Sequence, residues 1–227
     1  MYTMRNKVNK TDLLMSYVVK LPYFDFKTLN AVEKNNHYLK TFVNRYKQRG
    51  EIISLKKGLY TTKKFLDNFN QLNHFNSFVP FNEFIANILC QPSYLSLEYV
   101  LAENNILTEN PFGITSITKN KTTKFINYFG QFIYHKIKDK LFLGFTTKIR
   151  YENQIAALTI FKASKAKALF DYLYLRKNIL LDKKSIDELR LNISEFKPIE
   201  IKEFNSYINL EGSKKMKEIY NYLFKND

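Results

Sequence analysis

The chain of 227 residues has one cysteine, Cys90, no tryptophan, three histidines, six glycines and five prolines. A single thiol excludes an internal disulfide and a cysteine-built zinc site. His37, His74 and His135 form no i, i+4 pair and no His–Glu metal motif. The scarce glycines make no GxGxxG, no P-loop and no Gly-x-Ser-x-Gly elbow. Gly212-Ser213 is followed by no Asp-x-Asp, so the nucleotidyltransferase pattern is missing too. With no catalytic constellation, cofactor fingerprint or metal-ligand set, the chain is expected not to be an enzyme and to need no cofactor or metal. Long apolar runs are lacking as well. Leu13 to Val19 spans seven residues between Asp12 and Lys20, well short of the ~18 of a membrane span, and no small-residue cleavage site follows it. A cytoplasmic location is expected.

Basic side chains are abundant and unevenly placed. Lys+Arg number 36 against 21 Asp+Glu, a formal charge of +15. Residues 1–64 hold 14 basic and four acidic side chains, a net +10, and the remaining 163 hold 22 and 17, a net +5. Thirty of the basic residues are Lys, beside much Asn, Ile, Phe and Tyr. AT-rich coding alone yields that bias, but it does not place the excess in the first quarter of the chain. A concentrated positive field attracts a polyanion, and nucleic acid is the commonest.

Local signals lay out the elements. Lys10 to Leu21 reads as a helix capped by Thr11 or Asn9 and stopped by Pro22. Asp25 caps a short helix, Phe26 to Glu33, and Asn35-Asn36 opens a third, His37 to Arg49, which Gly50 terminates. Glu51 to Thr62 reads as two strands around Lys56-Lys57-Gly58. Asp67 to Pro80, Asn-rich, reads as a connection whose Phe residues pack down. Beyond it come helices at Phe81 to Cys90, Ser96 to Asn105 and Ser164 to Arg176. Strands are expected at Gly113 to Lys119, Gly130 to Ile137 and Lys140 to Ile149, and a helical tail at Lys183 to Asp227. The fold class is α+β: an N-terminal winged helix-turn-helix over residues 1–66, a connection over 67–80 and an α+β domain over 81–227.

Three helices and a basic hairpin in about 60 residues make the winged-helix pattern, in which the third helix enters the major groove and the hairpin follows the backbone. Leu39, Phe42, Val43 and Tyr46 repeat as i, i+3, i+4, i+7. The opposite face carries His37, Thr41, Asn44 and Gln48, flanked by Lys40, Arg45 and Lys47. Asn and Gln can pair with adenine, Arg with guanine and Lys with phosphate. Lys56 and Lys57 would meet a phosphate or the minor groove from the hairpin tip. A polar face opposite an apolar stripe is the norm for any surface helix; the basic hairpin directly after it makes the assembly more specific than its parts.

Four segments in order resemble the AbiEi-type antitoxin family of abortive-infection systems. Leu55-Lys56-Lys57-Gly58-Leu59-Tyr60 is similar to its basic-basic-Gly-apolar-Tyr wing. Gln91 to Leu101 (QPSYLSLEYVL) resembles its "PSYISLESAL" segment. Gly113 to Thr118 (GITSIT) resembles the strand that follows, and Ala163 to Asp171 (ASKAKALFD) its "ASPEKALLDLL" helix. The likeness spans residues 10 to 176; Lys165-Ala166 stands where the family carries Pro-Glu, and the tail past Lys177 matches no quoted segment. The resemblance implies a sequence-specific DNA-binding repressor that silences its own operon at repeated operator sequences. It further implies an antitoxin that neutralises a co-expressed nucleotidyltransferase-like toxin, with or without direct contact.

The remaining residues have plainer readings. Tyr94, Leu95, Leu97, Val100, Leu101, Leu169 and Phe170 are expected in the core, each contributing ~1.5–3 kcal/mol. Asp171 is a functional carboxylate, a helix surface charge or a partner of Lys167 at i−4. Ser93 and Ser96 suit a turn and a cap, and Cys90 inert packing. The competing function is a protein-interaction module whose basic face binds an acidic partner, or the toxin's nucleic-acid substrate, without operator specificity.

Overall fold

Asn9 opens the first helix: its side chain accepts from Thr11 N–H at 3.1 Å, so Asn9 and not Thr11 is the cap of α1 (Lys10–Val18). The computed structural model describes residues 9–73, 79–109, 111–152 and 156–225. Arg5 and Lys7, counted in the basic N-terminal excess, lie outside them, as do His74 and residues 75–78 of the expected connection. The described residues are α+β, with two sheets, and they fall into two compact units divided after Pro80; segments 127–129 and 150–158 group with the first.

In the first unit α1 ends three residues before the expected Leu21. The chain then forms a two-residue strand, β1 (Phe24–Asp25), which the sequence does not announce. Asp25 serves both strand and helix. Its Oδ1 accepts from the backbone N–H of Thr28 at 2.7 Å and from the Thr28 hydroxyl at 2.8 Å, a capping box for α2 (Phe26–Leu29). Asp25→Ala is expected to cost about 1 kcal/mol; an unchanged midpoint in urea denaturation would contradict that role. Asn35 caps α3 (Asn36–Gln48) by accepting from His37 and Tyr38 N–H, both at 3.1 Å. Gly50 follows at φ +74°, a conformation only glycine takes without strain. β2 (Ile52–Lys56) and β3 (Leu59–Thr62) form an antiparallel hairpin with a bulge between Ser54 and Lys56, and β1 pairs with β3 to give the order β1-β3-β2. Leu14, Val18, Phe24, Leu29, Leu39, Phe42, Val43, Tyr46, Ile52 and Tyr60 form one buried cluster. The Thr62 hydroxyl then accepts from Phe65 N–H at 3.1 Å, and the chain turns into α4 (Lys63–Asn73). Asp67 to Asn73, read as connection, are therefore helical, because Phe65, Leu66 and Phe69 bury one stripe.

The second unit is built on a mixed sheet. After α5 (Val79–Leu89) come β4 (Ser93–Leu95), α6 (Leu97–Glu103), β5 (Ile114–Thr118), β6 (Thr123–Asn127) and β7 (Gly130–Lys136). β8 (Phe145–Glu152), β9 (Ala156–Ala163) and α7 (Lys165–Arg176) follow. The strand order is β6-β7-β5-β4-β9-β8, with β4 antiparallel to β5 and parallel to β9, and β5 parallel to β7. Lys140 to Ile149 is not one strand: residues 139–141 form a 3-10 turn, and Gly144 at φ +77° redirects the chain into β8. A Cβ at Gly144 would collide with the Tyr207 hydroxyl, so the close approach admits only glycine. The tail is helical in pieces: α8 (Lys183–Asp187), α9 (Pro198–Glu211) and α10 (Lys214–Phe224), with Met216 and Ile219 fully buried. All seven residues expected in this core, from Tyr94 to Phe170, are buried. No described helix is long and apolar enough to cross a membrane.

His135 on β7 is half-buried. Burial holds its pKa below the ordinary histidine value; the Glu98 charge raises it and Arg176 lowers it. At pH above the unfolded value of about 6.5, both states hold a neutral ring and stability is complete. As pH falls through that value the unfolded chain takes up a proton first, and stability declines until folded His135 titrates. Between about pH 7.5 and about pH 5.5, His135→Gln should lose less denaturation midpoint than the unsubstituted protein; equal losses would contradict this.

Candidate nucleic-acid interface

The apolar stripe of α3 decides which side chains face outward. Leu39, Phe42, Val43 and Tyr46 are all buried, and the helical period turns the opposite face to solvent. His37, Lys40, Thr41, Asn44, Arg45, Lys47 and Gln48 are each exposed. Asn44 and Gln48, one turn apart, lie in the middle of that face, with Lys40 and Lys47 on one flank and Arg45 on the other. The Thr41 hydroxyl donates to the carbonyl of His37 at 3.1 Å, which orients it within its own turn. The helix is braced from below, where the Tyr38 and Thr11 hydroxyls lie 2.7 Å apart and tie α3 to α1.

The hairpin stands on the lysine flank. The Lys47 ammonium lies 5.9 Å from the centroid of the Tyr60 ring on β3, a cation–π contact that holds one end of α3 to the hairpin. Tyr60 in turn packs against Phe24 at 5.7 Å and edge-on to Phe26 at 6.0 Å. Lys57 at the tip is exposed and Lys56 half-buried, and Gly58 at φ +81° makes the turn between the strands. Thus the structure brings seven of the nine sequence-selected residues onto one helix face and carries the other two on the adjoining hairpin. Sequence reasoning missed Arg49, whose guanidinium lies 5.3 Å from the Tyr46 ring at the end of α3, and Tyr60 as the brace of Lys47. Tyr46, three residues before Arg49, was the available signal for the first; the second needed the folded hairpin.

Electrostatics leave the outer face of α3 and the Lys57 tip uncompensated. Among the described residues, no carboxylate lies within ion-pair distance of Lys40, Arg45, Lys47 or Lys57. Asp25 is committed to its cap. Glu33 is tied to Lys10 at 2.8 Å and to Asn35 N–H at 2.9 Å. The Lys10 hydrogen bond, then the one from Asn35, holds the Glu33 carboxyl below its ordinary pKa. No model of a known protein family matches the chain, and no curated protein matches it.

The second unit holds a different constellation. Asp171 is fully buried, so its reading as a helix surface charge is corrected. It pairs with Lys167 at 2.6 Å, as the i−4 spacing allowed, and accepts from the Ser96 and Tyr94 hydroxyls at 2.8 and 3.0 Å. Ser96 sits at the cap position of α6 but makes no side-chain cap bond, since its hydroxyl is diverted to Asp171. Ser93, read as a turn residue, opens β4. Burial pushes the Asp171 pKa up and the Lys167 pKa down, each against the pull of its partner. Both groups are sealed from solvent, so the network can orient and hold the core but offers no access to a substrate. Among the described residues no three His, Cys, Asp or Glu side chains gather as a metal site.

Proposed function

We propose that the first unit is a winged helix that binds double-stranded DNA, and that the chain is a cytoplasmic transcriptional regulator acting as an antitoxin of the AbiEi type. The observation that carries this reading is the pairing of an exposed Asn/Gln/Arg/Lys face on α3 with a lysine-tipped hairpin on its flank, free of compensating carboxylates on the helix. Asn44, Gln48 and Arg45 read base edges in the major groove; Lys40, Lys47, Lys56 and Lys57 meet phosphates and fix the register. The second unit is the antitoxin module, and the toxin it neutralises is nucleotidyltransferase-like. The likeness of residues 10 to 176 to that family supports the second half of the reading, and the α3 surface the first.

The test is a reporter placed behind the protein's own upstream DNA, combined with induced expression of any nucleotidyltransferase-like gene found beside its own. Co-expression of the chain is expected to repress the reporter and restore growth. Repression without growth rescue would leave a regulator that is not an antitoxin. Rescue without repression would favour the module that binds an acidic partner.

A further inference from the structure

The second unit contains an aromatic concavity of about 250 Å³ whose walls include Phe142, Phe145 and Phe161. Phe145 stands edge-on to Phe142 at 5.3 Å and to Phe161 at 6.0 Å, and its face rests on Tyr94 at 4.6 Å. All three phenylalanines are only half-buried, although buried Tyr94 continues the cluster into the core. Polar groups share the lining. Asn87 Oδ1 accepts from Phe161 N–H at 2.8 Å, but its Nδ2 reaches the carbonyls of Ser93 and Phe161 only at 3.4 Å each. The buried Ser93 hydroxyl has no hydrogen-bond partner. The neighbouring backbone is fixed: Thr118 Oγ1 donates to the Pro92 carbonyl at 2.7 Å and Asn120 Nδ2 to the Gln91 carbonyl at 2.8 Å. Beside them the Lys119 ammonium lies 5.3 Å from the centroid of Phe142.

These features select a guest. The volume lies just below that of drug-sized ligand pockets, roughly 300–1,000 Å³, so it suits one flat ring system. Phenyl walls offer stacking or edge contacts to a ring of any identity. A quaternary ammonium, the other common guest of an aromatic cage, is opposed by Lys119 and by the +15 charge of the chain. The unpaired Ser93 hydroxyl calls for a ring with a heteroatom on its edge. Lys119 supplies the charge that a phosphate ester needs. We infer that this pocket binds a free nucleotide, its base among Phe142, Phe145 and Phe161 and its phosphate at Lys119. The second unit thereby gains a small-molecule site separate from the α3 surface.

The full chain is titrated calorimetrically with AMP, GMP, CMP and UMP and with the matching nucleosides. At least one monophosphate should bind saturably. Phe161→Leu, which keeps apolar bulk but removes the flat ring, should weaken it about tenfold. Exposed Lys119→Gln should bring the monophosphate down to the affinity of its nucleoside. Lys47→Ala and Lys57→Ala should leave the affinity unchanged. No saturable binding of any of the four overturns the inference, as does binding indifferent to both Phe161→Leu and Lys119→Gln. Binding lost in the Lys47 or Lys57 variants would place the phosphate at α3 and overturn it too.

Discussion

Lys167→Met should destabilise the second unit by about 3–5 kcal/mol, the usual cost of stripping one partner from a buried ion pair. Lys167 and Asp171 are both fully shielded from solvent, 2.6 Å apart, so screening does not dilute the effect. Met matches the stem of Lys in length, so little of the loss comes from a cavity. What remains is a buried carboxylate held only by the Tyr94 and Ser96 hydroxyls. Asp171→Asn should destabilise comparably, because it strands the Lys167 ammonium among the Tyr94, Phe170 and Tyr207 rings. The double variant, Lys167→Met with Asp171→Asn, removes both charges and keeps an acceptor for the two hydroxyls. It should lie closer to the unsubstituted protein than either single variant. Urea denaturation of the four proteins measures the coupling; additive losses would mean that the pair is not the unit of stability described here.

At the proposed DNA surface, two kinds of substitution should separate cleanly. Asn44→Ala or Arg45→Ala should weaken operator binding by about 1–3 kcal/mol, roughly 5- to 150-fold, and leave binding to random duplex nearly unchanged. The double replacement of Lys56 and Lys57 by Ala should weaken both duplexes about equally and lower the salt slope by about 1 per lost phosphate contact. Anisotropy titrations of each variant against both duplexes provide the comparison. If the double hairpin variant bound operator as well as the unsubstituted chain, the docking of the hairpin on the backbone would be wrong.

The first unit was the more legible in sequence because its signals are local. The i, i+3, i+4, i+7 stripe of α3, the Asn35 cap and Gly50 and Gly58 each declare themselves within one or two turns. β1 escaped notice because two residues carry no period, and Phe24 and Asp25 are strand only by pairing with Tyr60 and Leu59. In the second unit helix positions, buried side chains and the strands β5 and β7 were readable, but the strand order was not. β4 and β9 meet across some 65 residues of sequence, where Leu95 pairs in parallel with Lys162. Asp171 shows the same limit in one side chain. Its Lys167 partner lies one turn away, whereas the Ser96 and Tyr94 hydroxyls come from 75 and 77 residues earlier. The nine residues of the α3 and hairpin surface could be picked out because an amphipathic helix announces its outer face, but the bracing of Lys47 by Tyr60 needed the hairpin folded back.

The central claim, that this surface reads DNA, is tested most directly by titrating the purified chain against its own upstream duplex, with random duplex as competitor, at two salt concentrations. Selective binding that random DNA does not displace and that weakens steeply with salt is the expected result. Binding that random duplex removes just as well as operator would contradict sequence-specific recognition by α3 and leave only the attraction of a basic protein for a polyanion.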